Sequence, residues 1–71
     1  MAPEQPGGAI DLARFLARQG RYEESERFFS LAEKAFPNEA RVLFERADTY
    51  IRGRRNLEGA RELLKRYLAA S

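Results

Sequence analysis

Residues 12–38 read LARFLARQGRYEESERFFSLAEKAFPN, and this stretch indicates the fold class of the 71-residue chain. Its apolar and small side chains recur at steps of three and four, which is the spacing of one face of an α-helix. Gly20 divides the stretch into two helices, because glycine readily adopts the left-handed conformation that closes a helix, and Pro37 ends the second helix. The stretch therefore predicts a helix-turn-helix hairpin.

The same pattern occurs a second time along the chain. An offset of 34 residues, and of 35 after one extra residue in the second turn, superimposes the two patterns: Ala13 on Ala47, Leu16 on Tyr50, Tyr22 on Leu57, Ser25 on Ala60 and Phe29 on Leu64. A repeat of this length is typical of stacked helical arrays. The predicted fold class is all-α, with two antiparallel hairpins, four helices in all, stacked as a short right-handed α-solenoid.

The domain boundaries follow from the repeat. Residues 1–8 contain two prolines and two glycines and are predicted to be a flexible leader. Residues 9–71 form the domain, with repeat one at 9–38 and repeat two at 39–71. The leader lacks the apolar core of a signal peptide, and no run approaches the ~20 apolar residues that span a bilayer. These features, with the absence of cysteine, favour a cytoplasmic location.

Particular residues are predicted to set the helix ends and the inner faces. Gly53 is expected to close the third helix as Gly20 closes the first. Asn38, followed by an acidic Glu39, is expected to cap the third helix, and Asn56 the fourth. The predicted inner stripe of the first helix consists of three residues: Leu12, Ala13 and Leu16.

Composition excludes several kinds of site. The chain has no histidine and no cysteine, which removes the usual zinc ligands, a thiol nucleophile and the commonest general base near neutral pH. Ser25 and Ser30 therefore lack an activating base, and the glutamates alternate with arginines on predicted solvent-facing surfaces. The sequence predicts a protein that is not an enzyme and that uses no cofactor or metal.

The packing residues of the first unit resemble those of a tetratricopeptide repeat. They are Leu12, Ala13, Leu16, Gly20, Tyr22, Ser25, Phe29, Ala32 and Pro37. The second unit resembles the same repeat less closely, because Arg46 stands where leucine is usual and Tyr67 where a small residue is usual. Its turn is also longer by one residue. The resemblance implies stacked hairpins, with small residues where helices approach and large ones between them.

The resemblance also implies a binding groove. In this family the first helix of each unit lines a concave surface that binds a peptide or helix of another protein. The residues that would line it here are Ile10, Arg14, Ala17, Arg18, Arg41, Phe44, Asp48, Ile51 and Arg52. Apolar residues beside arginines suit an extended peptide with acidic and apolar side chains. Phe44 and Ile51 have a second interpretation, packing against neighbouring helices, and the sequence leaves both open.

The domain is expected to bind a peptide or to serve as one section of a larger scaffold, and two other functions remain as alternatives. The fourth helix carries apolar residues on more than one face, which suggests a homodimer through Leu63, Leu64, Tyr67 and Leu68. The two turns are flanked by Arg18, Arg21, Arg52, Arg54 and Arg55, which suggests RNA or another anionic surface. Cations near helix C-termini also complement the helix dipole, and this interpretation is preferred, so a nucleic-acid partner is not expected.

Overall fold

The computed structural model describes residues 7–70 and contains four helices in that range. They are α1 (Gly7–Arg18), α2 (Tyr22–Ala35), α3 (Ala40–Arg52) and α4 (Leu57–Ala70). No residue between 7 and 70 lies in a strand, so the all-α prediction is confirmed. Most of the predicted leader, residues 1–6, lies outside the described residues, and its last two residues, Gly7 and Gly8, form the first turn of α1.

The four helices form two hairpins that lie side by side. Short turns make α1 antiparallel to α2 and α3 antiparallel to α4, and each pair packs along its length. Helix α3 contacts both helices of the first hairpin and so connects the two units. The Cα atoms fill a thin slab of 31 × 30 × 13 Å, which is the arrangement predicted for a short solenoid.

The apolar core has two parts, one centred on each hairpin. The first cluster contains Ile10, Ala13, Phe29, Ala32 and Val42, and the second contains Leu43, Ala47, Tyr50, Ala60 and Leu63. Val42 belongs to α3 but packs in the first cluster, so its burial joins the two hairpins. The prediction that Leu12 lies on the inner stripe is wrong, since Leu12 is 41% exposed and Ile10 occupies the inner position.

Small residues set the distance between α1 and α2, as predicted. Ala13 and Ser25 are both fully buried, and the Ser25 hydroxyl donates a 2.7 Å hydrogen bond to the backbone carbonyl of Ala13. This bond satisfies a buried polar group at the point where the two helices come closest. A larger side chain at either position would force the helices apart.

The two glycine turns differ in a way that the sequence pattern did not predict. Gly20 has a φ angle of +79°, and the Arg21 N–H donates to the carbonyl of Leu16 across the end of α1. Gly53, in contrast, has a φ angle of −83°, which any residue can adopt. The second turn has two left-handed residues, Arg54 with φ of 53° and Asn56 with φ of 49°. Of these, Arg54 matches Gly20 under the offset of 34. The prediction that Gly53 acts as Gly20 does is therefore wrong, because Arg54 holds that position.

The two asparagines near helix starts also behave differently from each other. The Asn56 side-chain oxygen accepts a 3.2 Å hydrogen bond from the Gly59 N–H, which confirms it as the cap of α4. Asn38 does not cap α3. The N-cap is Glu39, whose side chain makes no capping bond, and Asn38 adopts φ of 57° while its side-chain oxygen accepts a 3.1 Å bond from Arg66. The chain turns at Asn38 before α3 begins, so no acidic residue lies in the first turn of that helix.

This difference between the turns predicts unequal effects of alanine. The Gly20→Ala variant should lose about 1–2 kcal/mol of unfolding free energy, because an L side chain is strained at positive φ. The Gly53→Ala variant should stay within about 0.5 kcal/mol of the parent chain. Its new Cβ would meet the Thr49 carbonyl oxygen at 3.4 Å, which is an ordinary contact. Urea unfolding followed by circular dichroism measures both, and equal losses would contradict the assignment of a left-handed conformation to Gly20 and not to Gly53.

Candidate interaction surfaces

A cleft opens between the C-terminal ends of α1 and α3. Its volume is about 320 Å³, and it is lined by Arg14, Ala17, Arg18, Tyr22, Thr49, Arg52 and Gly53. Four of the nine predicted groove residues are in this set: Arg14, Ala17, Arg18 and Arg52. The predicted concave surface thus has a counterpart in the structure, restricted to the end of the domain where the two glycine turns lie. We refer to it as the α1–α3 cleft.

The arginines of the α1–α3 cleft differ in how far their charge is neutralised. Arg14 Nη1 lies 3.3 Å from a carboxylate oxygen of Glu45, whose side chain is largely buried. Arg52 Nε lies 2.8 Å from Asp48 Oδ2, but the Arg52 side chain is 74% exposed. Arg18 forms no hydrogen bond or ion pair within residues 7–70. Arg18 and Arg52 therefore carry the positive charge that the cleft presents to solvent.

Three cleft residues were missing from the predicted groove. Tyr22 begins α2. The guanidinium of Arg55 lies 4.2 Å from its ring centroid, and the residue is 43% exposed. Thr49 donates a 2.8 Å hydrogen bond to the Glu45 carbonyl and is largely buried. Gly53 follows α3 directly. The sequence analysis placed Tyr22 among the packing residues. Its position directly after the first turn was a signal, because stacked hairpins bring their turns together.

Three other predicted groove residues lie outside the cleft lining. Ile10 is wrong as a groove residue, because its side chain is fully buried in the first core cluster. Arg41 lies at the opposite end of α3, 3.8 Å from Asp11 and 3.9 Å from Glu45. Asp48 lies beside the cleft as the partner of an arginine that lines it. A helical face that looks continuous in sequence is thus divided by burial and by ion pairs.

Phe44 and Ile51 lie on another side of α3, facing α4. The ring of Phe44 is 5.7 Å from the ring of Tyr67, centroid to centroid. Ile51 borders a shallow pocket of about 430 Å³, which we call the C-terminal face and which is lined by Ile51, Leu57, Ala60, Arg61, Leu64, Lys65 and Leu68. Neither residue lines the α1–α3 cleft. Both pack toward the neighbouring helix, yet both remain nearly half exposed.

The residues predicted for self-association fall into two groups. Leu63 is only 7% exposed and belongs to the second core cluster, so its inclusion in a surface was wrong. Leu64 and Tyr67 are half-buried against that cluster, and Leu68 is 70% exposed. The reason is that α4 packs on α3 through Leu63. Leu64 and Leu68 are thereby left on the C-terminal face.

The result of a comparison with known protein families agrees with this architecture. The family model described as Tetratricopeptide repeat matches residues 6–49, which is more than half of the chain and includes α1, α2 and most of α3. The chain belongs to the tetratricopeptide repeat family. Searches of curated proteins and of solved structures found no match. Membership of this family indicates a helical protein-interaction module, and such repeats are typically non-catalytic.

Arg46 occupies a position that is usually leucine in a tetratricopeptide repeat, and here it connects the two repeats. Its Nη2 lies 2.6 Å from Glu26 Oε1, and its Nε donates a 2.9 Å hydrogen bond to the hydroxyl of Tyr50, which in turn donates to Glu26. Burial lowers the pKa of Arg46, but these hydrogen bonds outweigh burial and the pKa is raised. Burial, and then the bond to Glu26, raises the pKa of Tyr50. The contact therefore holds Arg46 charged and Tyr50 neutral.

Most turn arginines of the tetratricopeptide repeats are engaged within the chain. Carboxylates hold three of the five: Arg21 by Glu24, Arg52 by Asp48 and Arg55 by Glu26. Arg18 and Arg54 have no such partner within residues 7–70. The five arginines beside the two turns thus present fewer unpaired cations than the sequence indicated.

Metal sites and membrane segments were also sought. The described part of the chain contains no group of three or more Asp, Glu, His or Cys side chains arranged to hold a metal ion. Within residues 7–70, no helix combines the length and apolar character needed to cross a membrane. Among the surfaces described, the α1–α3 cleft and the C-terminal face are the two concave regions on which a binding function can be argued.

Proposed function

We propose that this tetratricopeptide repeat domain binds a short acidic segment of a partner protein in the α1–α3 cleft. The observation that supports it is the pair of exposed guanidinium groups, Arg18 and Arg52, lining one concave site. Guanidinium groups form strong, often bidentate hydrogen bonds with carboxylates. Arg18 has no carboxylate partner within residues 7–70, so a partner's acidic side chain would gain a bond without breaking one.

The remaining walls of the cleft suit an apolar neighbour of that acidic residue. Ala17 and the partly exposed Tyr22 line the cleft together with the arginines. A volume of about 320 Å³ holds only a few side chains, which favours one acidic and one apolar anchor rather than a whole helix. We expect modest affinity that falls as ionic strength rises, because exposed charges are screened by salt.

The choice of test residues follows from the ion pairs. Arg14 also lines the cleft, but it holds Glu45, so a glutamate at position 14 would place two carboxylates together inside the domain. Loss of binding in such a variant would report damage to the fold. Arg18 can be changed without leaving a carboxylate unpaired, because it has no partner within residues 7–70. Arg52 is changed to glutamine, whose side-chain amide can still donate a hydrogen bond to Asp48.

The test measures binding of fluorescein-labelled peptides by anisotropy. The probes are a peptide set in which aspartate or glutamate alternates with leucine or phenylalanine, and a matched set with lysine in place of the acids. The parent chain should bind members of the acidic set. The double variant Arg18→Glu with Arg52→Gln should bind them at least about tenfold more weakly, the loss expected from one or two charge-assisted hydrogen bonds.

The matched control is the double variant Arg27→Glu with Lys34→Gln. It carries the same change in charge on the exposed surface of α2, away from the cleft. It should bind like the parent chain, and both variants should keep the parent's circular dichroism spectrum. Equal weakening in the control would mean that overall charge, and not the cleft, attracts the peptide. Preference for the lysine set would contradict the proposal outright.

A further inference from the structure

The exposed apolar side chains outside the cleft form two groups, one on each hairpin. The first hairpin carries Leu12, Phe15 and Leu31, each at least 41% exposed, and we call them the N-terminal face. The second hairpin carries Phe44, Ile51, Leu57 and Leu68, which lie on or beside the C-terminal face. The internal repeat allows each group to be compared with the interface that already exists between the two hairpins.

The C-terminal face corresponds to the surface of hairpin one that hairpin two covers. Under the offset of 35, Leu64, Lys65 and Leu68 fall on Phe29, Ser30 and Glu33, and Arg61 falls on Glu26. The matching residues of hairpin one are all engaged by α3 or buried beneath it. Phe29 is fully buried, and Glu26, Ser30 and Glu33 lie 2.6, 3.4 and 3.9 Å from the guanidinium of Arg46. The C-terminal face thus occupies the position at which a second hairpin packs on hairpin one.

The N-terminal face corresponds to the surface by which hairpin two binds hairpin one. Leu12 matches Arg46 under the offset of 34, and Leu31 matches Arg66 under the offset of 35. Arg46 and Arg66 both contact Glu33 of the first hairpin. Residues 12 and 31 therefore lie where a hairpin contacts the one before it. In this chain both positions are leucine.

We infer that a second copy of the chain binds head to tail, with its N-terminal face on the C-terminal face of the first copy. Within the chain, Glu33 lies 3.2 Å from Arg66. Between copies, the corresponding positions are Leu68 on one molecule and Leu31, with Leu12, on the other. An ion pair inside the chain is thus replaced on both faces at once by leucine, so each face supplies the apolar surface that the other lacks.

More than one corresponding contact opposes this association and sets its strength. Leu12 of one copy, at the position of Arg46, meets Arg61 and Lys65 of the other copy, at the positions of Glu26 and Ser30, so these cations gain no carboxylate partner from it. The ion pair of Arg14 with Glu45, at 3.3 Å, becomes Asp48 of one copy against Asp11 of the next. Two carboxylates at this place weaken the contact, and salt screens their repulsion. The association should therefore be weak at low ionic strength and tighten as sodium chloride is added. Because the two faces differ, copies should add in sequence and exceed a dimer.

The experiment is sedimentation velocity of the 71-residue chain over a wide range of concentrations. The parent chain should show an average mass that grows beyond twice that of one chain. Leu12→Glu blocks the N-terminal face and Leu68→Glu blocks the C-terminal face, so each variant alone should remain monomeric. An equimolar mixture should form a dimer and stop, because each variant still has the intact face that the other needs. Leu31 is more exposed than Leu12, and the Leu31→Glu variant should reproduce the effect of Leu12→Glu.

Arg27→Gln is the control. It changes the net charge by one unit, as the glutamate variants do, but it lies on neither face and should associate like the parent. Each variant should retain the helical circular dichroism of the parent. A parent chain that stays monomeric at every concentration would overturn the inference. So would a dimer that Leu68→Glu abolishes and Leu12→Glu leaves intact, which is the signature of a symmetric contact through α4. A mixture of the two variants that fails to form a dimer would overturn it as well.

Discussion

The Arg46→Glu variant is expected to lose a large part of its free energy of unfolding. Its parent side chain is 14% exposed and connects the hairpins through Glu26, with Glu33 nearby at 3.9 Å. The variant removes the cation and places a third carboxylate beside two others. Breaking a mostly buried ion pair costs about 3 kcal/mol even at the lower end of the usual range. A chain of this length has a total stability of roughly 4–10 kcal/mol, so the loss is a large part of it.

Thermal and urea unfolding followed by circular dichroism measure this effect. The control is Arg27→Glu, an identical substitution at an exposed site of α2, which should change the unfolding free energy by less than about 0.5 kcal/mol. A second variant separates charge from packing. Arg46→Leu introduces the residue that is usual at this position of the family, and adding Glu26→Gln to it should recover about 1 kcal/mol. Equal losses in Arg46→Glu and Arg27→Glu would show that the hairpins are not connected through this contact.

The Phe29→Ala variant is expected to have a comparable or larger effect. Phe29 is fully buried and packs in the first core cluster with Ile10 and Val42, so it joins three helices. Truncating a buried phenylalanine costs about 3–5 kcal/mol, because the apolar burial is lost and the cavity does not fully collapse. The thermal transition should shift far down or lose its cooperativity. Circular dichroism at low micromolar concentration checks this result in the monomer.

Leu64→Ala provides the comparison at the same position of the other repeat. Leu64 is half-buried on the C-terminal face, so its truncation should cost only about 1–2 kcal/mol. The two substitutions differ in side-chain size, but the main difference is that a second hairpin covers Phe29. A loss at Leu64 as large as that at Phe29 would mean that the C-terminal face is not open to solvent.

The sequence predicted the helices well because their signals are local. The three- and four-residue spacing gave four helices, Gly20 gave the first turn, and Asn56 gave the cap of α4. The misassignments at Gly53 and Asn38 have one cause. A turn residue can serve by its backbone angle or by its side chain, and the sequence does not distinguish these when the neighbours are also polar or small.

The interaction surface could be predicted only in part. Arg14, Ala17, Arg18 and Arg52 lie together as expected, because residues three or four apart share a helix face. Thr49 and Tyr22 were missed, since their place in the cleft depends on how the two turns meet. Arg14 illustrates the remaining difficulty. Its charge was visible in the sequence, but its neutralisation depends on Glu45, which is brought near by the packing of α3 on α1.

Sequence alone was enough to establish a two-unit helical repeat, because a helix depends on spacing and capping within a few residues. It could not establish what each repeated position does. Ile10 and Phe44 are equivalent under the offset of 34, yet Ile10 is fully buried and Phe44 is 45% exposed. The physical reason is that hairpin two packs on hairpin one, whereas no residue of 7–70 packs on the corresponding side of hairpin two. Burial depends on which hairpins pack against each other, and only the tertiary structure shows that packing.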